Sequence, residues 1–156
     1  MYKDIQVISL DMNTSNIGYS IEFNPSYFKG ANNLLQKIVK LLFTQKSSSI
    51  IGPKYGTEFF NFFKPTTSDK AAAIIGLLPI IIKDVISQIK EIQITDILKN
   101  ELIPDEEYLL DIKIVTAYYD ETKTSWNIVL DVITKQGSIA LNLNQAAQPT
   151  YYTAGT

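Results

Sequence analysis

Cysteine, histidine and arginine are all absent from this chain of 156 residues. Without cysteine there is no disulfide and no thiolate metal site, and without histidine the commonest zinc ligand and general base are missing. Those absences exclude most enzyme mechanisms, and the chain implies no cofactor. Its fourteen cationic side chains are all lysine, set against sixteen acids for a net charge of -2. That near-balance, with no arginine and no clear aromatic interleaving, argues against a nucleic-acid partner. Walker-type, dinucleotide-binding and EF-hand patterns are also missing. The longest apolar run, AAAIIGLLPIII before Lys83, has twelve residues, short of the ~20 of a membrane span. It is expected to form a buried helix, with no membrane partner. The opening MYKDIQVISLDMN has neither the basic segment nor the apolar stretch of a secretory signal, so production and use in a cytoplasm are expected.

What is present is a 46% hydrophobic chain, enough for one domain that buries about 70% of its unfolded surface. Residues 1–28 alternate weakly around Ile5, Val7, Tyr19, Ile21 and Phe23, as an N-terminal arm or short strands joined by a turn at Asn13–Gly18. Ala31, Leu34, Leu35, Ile38 and Leu42 then form one helical stripe, with Asn33, Lys37, Lys40 and Thr44 on the opposite face. Val39, Leu41 and Phe43 widen the apolar side, which suits either a second buried flank or a partner. A second helix is expected from near Asp69, kinked or broken at Pro79, with a further helical turn or two between Ile94 and Leu102. Residues 29–64 carry six lysines against Glu58, and residues 65–131 twelve acids against six lysines. That asymmetry can orient a protein against its partners.

The last third changes period from about 3.6 to 2. Leu110, Ile112 and Ile114, then Trp126, Ile128, Leu130 and Val132, then Ile139, Leu141 and Leu143 mark the inward faces of three strands. The short polar connections DETKTS and KQG make them an antiparallel meander. The expected class is therefore α+β: an arm at 1–28, one domain at 29–144 with two main helices and the meander, and a tail at 145–156. The strand Ser138–Asn144 has no charge and no proline, so its edge is poorly defended. Ala140 and Asn142 are expected to point away from the core.

Between helix and helix lies LLFTQKSSSIIGPKYGTEFF, Leu41 to Phe60. Pro53 fixes its own φ, Gly52 and Gly56 allow angles that other residues avoid, and Tyr55, Phe59 and Phe60 can anchor the loop. Leu41, Leu42, Thr44, Pro53, Tyr55 and Gly56 resemble, in type and interval, the signature of the baseplate wedge family of contractile phage tails, which has a type VI secretion counterpart. Ser47 stands where that family usually has glycine, and the family's loop arginines are missing. Glu106 or Glu107, in PDEEYL, occupies the place of the family's Glu-Pro-Arg motif without the Pro-Arg pair.

The resemblance implies a structural protein of the virion tail baseplate, assembled in the host cytoplasm. Its helical half would meet other baseplate wedge subunits, and the edge at Ile139, Ala140, Leu141, Asn142 and Leu143 would offer main-chain bonds to the tail sheath protein. A free-standing peptide-binding adaptor is the competing class. Some members of the family are labelled lysozyme-like, but glycoside hydrolysis needs two carboxylates flanking a sugar site. Asp105, Glu106 and Glu107 are adjacent and read as solvated, so no catalytic role is expected of them.

Overall fold

The computed structural model describes residues 8–11, 16–19, 30–47 and 54–146. Ile8–Asp11 (β1) and Asn16–Tyr19 (β2) pair antiparallel. β2 thus takes in residues 16–18, which were expected in the turn. The remainder of the 1–28 arm, Gly52 and Pro53, and the tail beyond Ala146 lie outside the described residues.

Ala31–Phe43 (α1) is buried on more than its expected stripe. Leu34, Leu35, Ile38, Val39, Leu41 and Leu42 are all within the core, and so are Asn33 and Gln36. The wide apolar side therefore serves this chain's own interior. Asn33, expected on the solvated face, is 2% exposed; a charged partner distant in sequence draws it inward.

A short helix, Phe59–Phe62 (α2), follows the joint. Phe59 and Phe63 are buried and stack with ring centroids 4.5 Å apart, whereas Phe60 is 41% exposed. Phe63 takes the anchoring place expected of Phe60, because a helical turn returns every fourth residue, not the next one, to the same face. The chain of rings continues from Phe63 to Trp126 at 4.8 Å and from Trp126 to Tyr119 at 4.9 Å. It ties the helical half to the sheet. The Trp126 indole N–H donates to the Lys64 carbonyl, and the Thr66 amide donates to the Tyr119 hydroxyl.

Ser68–Ile75 (α3) and Leu78–Leu98 (α4) are separated at Gly76–Leu77, so Pro79 falls in the first turn of α4, where its missing N–H costs no helical bond. Together they make a 31-residue stretch that is long and apolar enough to cross a membrane by composition. α4 packs on α1 and the sheet through Leu78, Ile81, Ile82, Val85 and Ile89. The expectation of a wholly buried helix is corrected: Ala72, Ala73, Pro79 and Ile80 are exposed, because one stripe suffices to cover α1. Ile94–Leu98 belongs to α4 and is not a separate turn.

The α4 stop is a backbone one. Asn100 has φ +61, its N–H reaches the Ile97 carbonyl, and the Glu101 N–H reaches the Asp96 carbonyl, the paired bonds of a Schellman motif.

The expected α+β class holds, with three strands in the order β3-β4-β5: Leu109–Asp120, Ser125–Thr134 and Ser138–Ala146. β4 is central, and Trp126, Ile128, Leu130 and Val132 are fully buried along it. Ile128 faces Leu143, Leu130 faces Leu141 and Val132 faces Ile139 across the second ladder. β3 departs from clean alternation. Register shifts at Leu109/Asp111 and Ile114/Thr116 put an extra residue in the strand, so Leu109 faces the core and Leu110 is 43% exposed, opposite to expectation.

Candidate functional site

The motif residues gather at the C-terminal end of α1. Leu41 and Leu42 are fully buried, Thr44 is the C-cap, and Tyr55 packs against the core. The chain returns to this point through a parallel bridge between Gln45 and Thr57. Gly56 lies at φ +103, and a Cβ there would collide with the Thr44 carbonyl oxygen. Only glycine lets the two backbones approach so closely. Ser47 has φ +69, a left-handed conformation that glycine adopts without strain.

Thr57 and Gln88 complete this joint, and nothing in the sequence pattern singled them out. Thr57 is fully buried; its N–H donates to the Thr44 carbonyl at 2.9 Å, and its hydroxyl lies 3.2 and 3.3 Å from the Leu41 and Leu42 carbonyls, otherwise orphaned at a helix end. On α4, Gln88 accepts from the Gly56 N–H at 3.1 Å and donates to the Gly56 carbonyl at 2.8 Å. Lys46 pairs with Asp84 one turn away at 2.9 Å. The half-exposed pair adds little energy by itself, but with Gln88 it fixes the loop against α4.

Glu106 and Glu107 lie at the opposite end of α1. Thirteen residues of helix separate the two places, about 20 Å of rise. Glu107 is only 6% exposed, which corrects its expected solvation. Its Oε1 accepts from the Gly30 N–H at 3.0 Å and its Oε2 from the Asn33 side-chain amide at 2.8 Å. A carboxylate is favoured there by the partial positive charge of a helix N-terminus. Gln93 of α4 holds the same segment from the other side, donating to the Glu107 carbonyl and accepting from the Leu109 N–H. Glu106 is partly exposed and Asp105 exposed. Glu107 therefore pins α1 to the start of β3, and the three adjacent acids form no facing pair across a cleft.

The sheet presents two different edges. β3 carries two bulges together with Asp111 and Lys113, features that blunt an edge. β5 pairs with β4 without register shifts and has no charged residue or proline between Ser138 and Ala146. Leu141 and Leu143 are buried and Ile139 is partly so, while Ala140 is exposed and Asn142 half-exposed. Those five residues alternate as expected. β2 lies near β5 but, among the described residues, belongs to a separate sheet and is not paired with it.

No family model matches the chain, and neither a curated protein nor a solved structure matches it.

Proposed function

We propose that this chain is a non-enzymatic structural subunit of a contractile injection machine, similar to the baseplate wedge subunit of a phage tail. Its helical half docks on other wedge subunits, and β5 receives a strand from the first ring of tail sheath. The observation that carries this reading is the smooth, uncharged edge of β5 beside an opposite edge blunted by bulges and charge. Main-chain hydrogen bonds from an added strand supply affinity at such an edge, and alternating side chains set register. The motif geometry supports the resemblance. The position where the family usually has glycine is held here by Ser47 at a glycine-like φ of +69, and Gly56 is sterically obligatory. The occupied oxygens of Glu107 favour a structural acid over a glycosidase acid. A type VI secretion baseplate offers the same two contacts and is the alternative setting.

The test is Ala140→Lys with Asn142→Lys, whose side chains leave the core undisturbed. Baseplates assembled with the double variant are expected to carry no full-length sheath, while the subunit keeps its urea midpoint. Full-length sheath on such baseplates, with folding intact, overturns strand addition at this edge.

A further inference from the structure

Beside Ile139, the first residue of α1 and the turn between β4 and β5 enclose a cavity of about 290 Å³. Its walls are fixed before anything enters. On one side the Thr134 N–H and hydroxyl both donate to the Gly137 carbonyl, at 2.8 and 3.0 Å, and the hydroxyl oxygen accepts from the Gly137 N–H. On the other, Glu107 pins the start of α1 through Gly30 and Asn33, which holds Ala31 in place.

Ile139 is the third wall. Ile112 pairs with Val132 and Val132 with Ile139, one inward row that crosses the sheet and ends at the β5 edge. Leu141 and Leu143, which end the next two rows, are 1% and 2% exposed, whereas Ile139 is only partly buried. The row through Ile139 is therefore the unfinished one of the three. α1 offers it only Ala31, a side chain too small to cover it.

A strand added to β5 lies about 4.8 Å beyond it. The residue opposite Ile139 then points to the same face, its Cβ about 5 Å away, toward the cavity. We infer that this cavity sets the register of the incoming strand, which carries a large aliphatic side chain opposite Ile139 and smaller residues opposite Leu141 and Leu143. The inference rests on strand addition at β5 and names the side chain that strand must bring. The volume is at the foot of the ~300–1,000 Å³ range of small-ligand sites, a size for one side chain, and Ala31 and Ile139 call for an apolar one. A slip by one residue would turn that side chain to the outer face, and a slip by two would set it against Leu141, which is already covered.

The absence of cysteine from the chain makes Ala140→Cys a single thiol on the exposed, outward-facing side of β5. Neighbouring strands lie within the Cα separation of about 4.4–6.8 Å that a disulfide spans. The full-length variant is equilibrated in a thiol redox buffer with acetylated threonine nonapeptides whose central cysteine is flanked by leucine and alanine, in both orders. A control peptide has proline in place of the threonines, and the mixed disulfides are quantified by mass spectrometry. In either strand direction one order sets leucine opposite Ile139 and the other sets it opposite Leu141. Both threonine peptides should tether more than the control, and one order should exceed the other about fivefold, as burial of an aliphatic side chain requires. Lysine in place of that leucine should lose the advantage, and Ala31→Phe, which fills the cavity, should bring the two orders to equal yield. Threonine peptides no better than the proline control overturn strand addition and this inference with it. Tethering above the control with equal yields for the two orders, a lysine peptide that matches leucine, or a preference that survives a folded Ala31→Phe each overturns the register pocket and leaves strand addition standing.

Discussion

At Gly56 the backbone angle and the proximity of the Thr44 carbonyl act together. Gly56→Val should therefore lower stability by about 1 to 3 kcal/mol through backbone strain alone, with further loss if the Thr57–Thr44 bond opens. A urea titration with an unchanged midpoint would remove the claim that this residue closes the joint. Glu107 makes a second residue-scale prediction. Glu107→Ala leaves the Gly30 N–H and the Asn33 amide without acceptors and should cost about 1 to 3 kcal/mol, whereas Glu106→Gln should be nearly neutral; equal midpoints for the two variants contradict the assignment. The special backbone at Gly56 could be read from its neighbours, since glycine close to proline and an aromatic announces a turn. The burial of Glu107 could not. Its partner Asn33 is 74 residues away, and three adjacent acids look solvated until the fold brings a helix N-terminus to one of them.

Elements differ in the same way. The break before α4 was legible because Pro79 acts locally on the helix that contains it. The β3 bulges were not, because the alternation of Leu110, Ile112 and Ile114 is regular in isolation and the extra residue is defined only against β4. A third prediction concerns the start of α3. The Ser68 backbone N–H, and then its hydroxyl, hold the Glu121 carboxyl below its ordinary pKa of 4.5. A depressed folded-state pKa stabilises the fold above the unfolded value and ceases to do so as pH falls through the folded one. The stability gap between wild type and Glu121→Gln should therefore be widest above about pH 4.5 and close as the solution is acidified. The exposed setting keeps that gap small, and a gap that widens toward acid contradicts a stabilising Ser68–Glu121 bond.

For the whole molecule, composition and period indicated the α+β class and a sheet following the helices, because both reflect how much surface each face must bury. They did not reveal which apolar residues stay outside. Ile94, Ile97, Leu98 and Leu102, between 48% and 91% exposed, read like core in sequence, since the periodic signal is the same whether a face meets its own fold or solvent. The aromatic series from Phe59 to Tyr119 connects the joint mechanically to the sheet, so a displacement of one half is resisted by the other. The unequal sheet edges have a consequence of polarity. A module open on both sides can be inserted anywhere in a growing lattice, but one that is sealed on one side and receptive on the other can only begin a series. Under the proposed strand addition, strands would arrive from the β5 side and not from the bulged β3 edge, which would make the molecule a starting point of a series and not one of its repeating links.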